Sequence, residues 1–429
     1  MQRNIYNQLL RWKNKKTRKP LILNGARQVG KTYILREFGQ KEYQKVAFFS
    51  LDRDQKVREV FEKSGSTADI LMALSAISQV DITPGDTLLV LDEIQDCPKA
   101  LEALKFFCEE TPDIHIVVAG SLLGLSLHDG TSYPVGKVEE MRLYPMTFLE
   151  FLNAMGKTQL VEIIENKKWA VVNMLQMELI GLLRQYYYVG GMPAAVLAHV
   201  EHNSLQEIRS IQLQILADYR RDFSKHAPAR EVPRINMVWD SIPPQLAKEN
   251  KKFIYGALKK SARAKDFEIA IQWLIDAGLA YKVVRVNAPR LPLKFYEDTD
   301  AFKLFMLDVG LMGAMAETPA ELMLVNDDVF SEYKGAFTEL YVFTQLKALG
   351  MSLYYHSVNN STIEIDFITQ SHNKVVPIEV KAEVNVKSKS LRTFITDNSE
   401  LKAIRFSMLP YMEQDWLTNI PLYACMAEI

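Results

Sequence analysis

Four groups of side chains have types and spacings that do recognisable chemistry. In NGARQVGKT, Gly25, Gly30, Lys31 and Thr32 fit GxxxxGK[ST]. Glycines at these places let backbone N–H groups curl around phosphate oxygens. The lysine reaches the β- and γ-phosphates, and the threonine hydroxyl ligates Mg²⁺. Gly25, Ala26, Arg27, Gln28, Val29, Gly30, Lys31 and Thr32 are therefore the expected ATP-binding residues. TLLVLDEIQ (87–95) ends an apolar run in two acids. Asp92 is expected to hold Mg²⁺ with Thr32, directly or through water, and Glu93 to polarise the attacking water. IHIVVAGS ends in Gly120-Ser121. Ser121 either senses the γ-phosphate or N-caps the next helix. Last, EIDFITQSHNKVVPIEVKAE (364–383) carries Asp366, Glu379 and Lys381, with Glu339 in a helical stretch before it. Two carboxylates and a lysine suit metal-assisted phosphodiester cleavage, in which the lysine orients water and offsets transition-state charge. The other reading is the ordinary alternation of a half-exposed hairpin.

These groups need elements to position them. Leu21–Leu23 read as a strand, and YILREF after the glycine loop reads as a helix, the setting that turns the loop into a phosphate site. KVAFFSLD, TLLVL and IHIVVAG supply further core strands, and open α/β sheets place ligands at the C-terminal ends of such strands. The first 155 residues are expected to form a three-layer α/β nucleotide-binding domain. Residues 156–240 read as a helical lid, broken at Gly190, Gly191 and Pro193. Residues 241–320 read as a winged helix. SIPPQLAKEN and KKFIYGALKKSARAK would form its first helices, and Ile269, Trp273, Leu274 and Leu279 would face its core. Lys248, Lys251, Lys252, Lys259, Lys260, Arg263 and Lys265 fall in this segment. They are either a track for a DNA or RNA backbone or a solvated helix face. Residues 321–429 read as a small α/β domain. There the period-2 rule puts Glu379 and Lys381 on one face, with Asp366 brought alongside by the turn SHNK.

The 429 residues are 48% hydrophobic and 24% charged, enough for several cores. Net charge is −1, from 51 basic and 52 acidic residues, so any polyanion binding must be local. Cys97, Cys108 and Cys425 are odd in number and widely spaced. They form neither a disulfide framework nor a metal-ligand pattern, and a cytoplasmic location is the expectation. The longest apolar run, IVVAGSLLGLSL, is too short to span a bilayer, so no membrane association is expected.

Taken together, GARQVGKT, LVLDEIQ, VVAGSLLG, LYPMTFLEF and YYVGGMPAAV resemble a prokaryotic family of AAA-type, archaeal-like P-loop ATPases with a C-terminal DUF4143 domain. The resemblance spans nearly the whole chain, with GARQ where GPRQ is common. It implies ATP and Mg²⁺ as cofactors and ATP hydrolysis as the activity. It places a conspicuous arginine at Arg142 in KVEEMRLYPM. Arg27, Arg184, Arg220 and Arg221 are further arginines for the phosphates, each with a structural ion pair as its other reading. The order Glu339, Asp366, Glu379, Lys381 resembles the PD-(D/E)xK nuclease fold. Two functions follow: an ATP-driven switch controlling a nuclease-like domain that meets nucleic acid, or a switch whose inactive C-terminal domain binds a protein or nucleic-acid partner.

Overall fold

Strands buried on both faces dominate the first part of the chain. The computed structural model describes residues 1–121, 133–324, 331–358, 363–382 and 389–427. The chain divides into two contact units: residues 2–144 with 276–279, and essentially the remainder.

In the first unit, helix α1 (Ile5–Lys13) precedes β1 (Leu21–Asn24), α2 (Lys31–Glu42), β2 (Lys45–Ser50), α3 (Gln55–Lys63) and α4 (Thr67–Ser78). Then come β3 (Thr87–Asp92), α5 (Pro98–Glu110), β4 (His115–Gly120) and β5 (Glu139–Arg142). Every pairing is parallel, in the order β2-β3-β4-β1-β5. Strands β3 and β4 are buried along their whole length, as expected of parallel strands covered by helices on both faces. One side of the core joins Ile22, Leu89, Leu91, Ile116 and Val118 to Leu101, Leu104 and Phe107 of α5. This is the α/β P-loop NTPase-like fold. Strand β4 lies between the loop strand β1 and the acid-ending strand β3, so the C-terminal ends of all three are neighbours. The stretch after Ser121 that contains Leu122–Gly124 lies outside the described residues.

The second unit begins with helices α6 (Phe148–Ala154), α7 (Thr158–Glu165), α8 (Trp169–Met174), α9 (Gln176–Val189), α10 (Pro193–Glu201) and α11 (Leu205–His226). Helix α12 (Val232–Leu246) and α13 (Ala264–Asp276) lead to the antiparallel pair β6 (Ala280–Val286) and β7 (Glu297–Met306). Helices α14 (Val309–Met315), α15 (Ala320–Leu324) and α16 (Ser331–Ala348) follow. Strands β8 (Tyr354–Ser357), β9 (Glu364–Ser371) and β10 (Lys374–Val380), helix α17 (Lys389–Asp397), and strands β11 (Ala403–Ser407), β12 (Met412–Glu413) and β13 (Leu417–Pro421) complete it. The β6–β7 hairpin does not stand apart: one eight-stranded sheet runs β12-β13-β11-β10-β9-β8-β6-β7.

Two expectations in this unit are corrected. SIPPQL is the end of α12, not a helix of its own, and within KKFIYGALKKSARAK the ordered turn is a 3₁₀ segment at Tyr255–Ala257. Ile269 does not face the core. It is 53% exposed, while Phe267, Ala270, Ile271, Trp273 and Leu274 form the buried stripe of α13. Trp273, Leu274 and Leu279 are buried as expected, and Ile269 alone falls beside the stripe that Phe267, Ala270 and Ile271 complete.

The break at Gly190–Pro193 has a packing reason. The Gly191 oxygen accepts from Met146 N–H at 2.6 Å. A Cβ on Gly191 would lie 2.1 Å from the Met146 oxygen. The Gly191 N–H donates to Asp308 Oδ2 at 2.6 Å, and the same carboxylate caps α14 through Leu311 N–H at 2.9 Å. Around this joint Phe148, Phe151, Tyr186 and Tyr341 make edge-to-face contacts, and Gln345 ties Phe148 N–H to the Tyr186 hydroxyl.

Candidate nucleotide site and acid cluster

The glycine loop takes its shape from backbone geometry that few residues allow. Gly30, the residue before α2, has φ +97°, and Gln28 has φ +64°. Left-handed residues in a tight glycine loop turn successive N–H groups toward one concavity, a nest for an anion. Gly25 is required by close approach: a Cβ there would lie 2.4 Å from the Leu143 oxygen. Buried Ala26 and Val29 anchor the loop. The Lys31 ammonium folds onto the Gly25 and Ala26 oxygens at 2.8 Å each. Burial lowers the Lys31 pKa to about 8, against the pull of Glu93 and Asp92.

Across from the loop, Thr32 Oγ1 donates to Asp92 Oδ2 at 2.6 Å. Two hard oxygens set side by side at a phosphate nest suit Mg²⁺. The other Asp92 oxygen accepts the Glu93 N–H at 3.0 Å. Burial raises the Asp92 pKa, and the Thr32 hydrogen bond opposes that rise. Glu93 leaves the strand in the left-handed region, φ +52°. Its Oε2 accepts from Gln95 Nε2 at 2.7 Å and from Ser121 Oγ at 3.1 Å, while Arg27 Nε donates to Ser121 Oγ at 3.4 Å. Loop, acid strand and β4 thus meet through Arg27, Ser121 and Glu93.

In the second unit Asp366, Glu379, Lys381 and Glu339 also come together. The turn is the two-residue His372-Asn373, both with positive φ, as the primed hairpin turns require. The register runs through Ile378 opposite Phe367, so Asp366 and Glu379 fall side by side, and Val380 N–H donates to Asp366 Oδ2 at 2.7 Å. Lys381 Nζ lies 3.0 Å from Glu379 Oε1. Glu379 is only 5% exposed, whereas Asp366 and Lys381 are half-buried. Glu339 on α16 is ion-paired to Lys303 at 3.0 Å and to Lys251. Lys303, fully buried on β7, also lies 2.8 Å from Glu364. Burial and the neighbouring Glu339 charge push the Asp366 pKa up to about 6. Lys251 is therefore corrected: it is a partner of a buried acid, not part of a solvated or backbone-tracking lysine face.

Three family models match successive parts of the chain: an AAA domain over residues 17–152, a domain of unknown function (DUF8612) over 180–322, and a domain of unknown function (DUF4143) over 334–425. The chain carries an AAA-type P-loop ATPase domain followed by a DUF4143 domain. No curated protein matches it. Among solved structures it is similar to the Walker-type ATPase PABY2304 of Pyrococcus abyssi, at 12% identity over 73% of this chain and 95% of that chain, TM-score 0.46. It is also similar to Aeropyrum pernix Orc1 in complex with DNA, at 14% identity over 75% and 92%, TM-score 0.28. The Thermotoga maritima RuvB branch migration motor aligns at 15% identity over 68% and 90%, TM-score 0.28.

In the AAA domain the other named arginines do not join the Asp92–Glu93–Ser121 group. Arg142 is exposed at the end of β5 and bonds to Tyr144. Strand β5 is three strands from β3, about 14 Å at normal strand spacing. In the second unit Arg220 pairs with Asp240 at 2.5 Å and Arg221 with Asp218 at 2.5 Å. Sequence reasoning missed Arg3, which is 5% exposed. Its Nη1 donates to the Val29 oxygen at 3.0 Å and its Nη2 to the Tyr144 oxygen at 2.6 Å, clamping the loop from behind. Gln95, Glu364 and Lys303 were missed as well. For Gln95 a signal existed: it lies two residues past Glu93, within reach of the same carboxylate. Among the described residues no helix is long and apolar enough to cross a membrane.

Proposed function

We propose that the protein binds ATP with Mg²⁺ and hydrolyses it to drive a conformational switch acting on its C-terminal domain. The observation that carries this reading is the hydrogen-bonded chain from Thr32 through Asp92 to Glu93 and Ser121 at the mouth of the loop. Mg²⁺-bound ATP would supply an electrophilic γ-phosphorus with its charge partly neutralised. The residues do the rest. The N–H groups of 26–32 cradle the phosphates, and Lys31 turns from its two backbone oxygens to the phosphate. Thr32 and Asp92 hold the ion. Glu93 accepts a hydrogen bond from the attacking water. Ser121, already bonded to Glu93, reports the state of the phosphate to that base and to Arg27. Arg142 is the residue we assign to act on the phosphates from outside this group.

The second unit we read as a lid (156–240), a winged-helix-like segment (241–320) and a nuclease-like PD-(D/E)xK arrangement (321–429), engaging DNA or RNA. Lys248, Lys259, Lys260, Arg263 and Lys265 support this reading. All five are exposed and have no ion-pair partner among the described residues, which leaves them available to phosphates.

Phosphate release from ATP tests the central claim. Lys31→Ala is expected to lose nucleotide binding, whereas Glu93→Gln keeps binding and loses about 10²–10⁴-fold in kcat, the usual share of a general base. Wild-type turnover in Glu93→Gln would remove Glu93 from the mechanism, and no turnover by the wild-type chain would remove the mechanism.

A further inference from the structure

The acid cluster of the DUF4143 domain brings its own cations. Glu339, Glu364, Asp366 and Glu379 are its carboxylates, and Lys303, Lys251, Lys381 and Arg405 surround them. Lys303 Nζ sits between Glu339 Oε1 at 3.0 Å and Glu364 Oε1 at 2.8 Å, with its charge 5.0 Å above the Tyr355 ring. The second Glu339 oxygen is taken by Lys251. Glu379 has Lys381 beside it at 3.0 Å and Arg405 across the β10–β11 register. One Asp366 oxygen is bound by the Val380 N–H. Among the described residues no three His, Cys, Asp or Glu side chains converge to hold a metal ion.

These contacts do not fit a nuclease metal. A divalent ion needs several carboxylate or water oxygens turned toward one point. Here the inner acid, Glu339, has both oxygens turned to ammonium groups. Bringing in a divalent cation would add two charges to a cluster already supplied with four. It would also strip a fully buried ammonium of its carboxylates, which is strongly unfavourable because the charge is left without solvent or partner. Burial alone would lower the Lys303 pKa, yet the charges of Glu339, Glu364 and Asp366 hold it above its ordinary value. The amine therefore stays a cation across the physiological range.

We propose that the Lys303 ammonium, with Lys251, takes the place of the divalent cation in this cluster, so that the acid cluster of the DUF4143 domain is a metal-free, ion-paired centre rather than a nuclease site. Lys303 comes from the β6–β7 hairpin and Lys251 from the segment after α12. Closing the cluster thus also fastens the hairpin to α16. The inference is independent of ATP hydrolysis at the AAA domain, and its test separates the two.

The test is Mn²⁺ binding by the full chain, followed calorimetrically and by electron paramagnetic resonance without nucleotide. Thr32→Ala/Asp92→Asn is included so that the AAA site does not contribute. The expected result is no Mn²⁺ bound at the second unit into the millimolar range, about 1 mM being the weakest affinity of interest. Lys251→Ala is expected to tighten Mn²⁺ binding at least about tenfold, because one cation is removed from beside the freed Glu339 oxygen. Lys303→Met is expected to lower the melting temperature, and Lys303→Met/Glu339→Gln to recover most of it, the signature of a mutually compensating buried pair. If Lys303→Met does not fold, the wild-type and Lys251→Ala titrations still decide. Stoichiometric micromolar Mn²⁺ binding by the parent chain, abolished by Asp366→Asn/Glu379→Gln, would overturn the proposal whether or not the chain hydrolyses ATP. So would metal-dependent nicking of plasmid DNA that Lys381→Ala removes.

Discussion

Gly25→Ala puts the close-packed origin of the phosphate loop to a quantitative test. A Cβ at this position would lie 2.4 Å from the Leu143 oxygen and 3.3 Å from Val29 Cγ2. An acceptable C···O contact is about 3.3 Å, so something must move by roughly 0.9 Å. Leu143 is poorly placed to yield: its side chain is buried and its N–H donates to the Asn24 oxygen at 2.8 Å. Val29 is buried too, with its carbonyl clamped by Arg3. The part that gives is the loop at residue 25, whose carbonyl positions the Lys31 ammonium. Overpacking costs about 1–3 kcal/mol, and a strained backbone at a non-glycine residue about 1–3 kcal/mol more. If roughly 2–4 kcal/mol of this must be spent to restore the binding-competent loop, nucleotide affinity falls about 30- to 1000-fold. Titration with a fluorescent ATP analogue measures it, beside thermal melting to show that the variant is folded. Gly65→Ala is the control, since nothing lies within 4 Å of its added Cβ and its φ is ordinary. Nucleotide affinity within about threefold of wild type for a folded Gly25→Ala protein would refute the reasoning, because the clash would then be absorbed away from the site.

Three further outcomes follow from other parts of the structure. His115 is buried against Tyr43, whose hydroxyl lies 2.7 Å from Nδ1, and burial lowers its pKa to about 4. With an unfolded value near 6.5, its contribution is fully present above that pH and is lost as pH falls toward 4. Urea unfolding of wild type and His115→Gln between pH 7 and 4 should show a shallower loss in the variant, and parallel curves would contradict the assignment. Gly191→Ala drives a Cβ to 2.1 Å from the Met146 oxygen. It should destabilise the second unit by about 3 kcal/mol, the upper end for overpacking, and a melting temperature equal to wild type would show that the joint can open freely. Lys259→Glu/Lys260→Glu should weaken DNA binding and flatten the slope of log affinity against log salt by about 2. An unchanged slope would remove these lysines from the proposed nucleic-acid reading.

What could be read from the amino acids divides along a physical line. Continuous apolar runs such as TLLVL and IHIVVAG have no place to go but a buried parallel sheet, so β1, β2, β3 and β4 and the acids at the end of β3 were legible. So was the hairpin from Glu364 to Val380, because period-2 alternation fixes which side chains share a face. Strand β5 was not, since Glu139, Glu140 and Arg142 leave an edge strand no apolar signature. Ile269 was misplaced because Phe267, Ile269 and Ile271 all look like core residues on an amphipathic helix, and their types do not say which of them its neighbours cover. The largest gap concerns partners distant in sequence. Glu339 meets Lys303 across 36 residues and Lys251 across 88, and Arg3 meets Tyr144 across 141. Local periodicity places a side chain on a face but says nothing of what arrives opposite it. Lysines in a polar stretch read as solvated until a buried carboxylate claims one. That is why the motif Asp366, Glu379, Lys381 suggested a metal site, while the charges that answer it came from a hairpin and a loop with no motif of their own. The chemistry of a carboxylate cluster is decided by its cations, and here the cations belong to the protein.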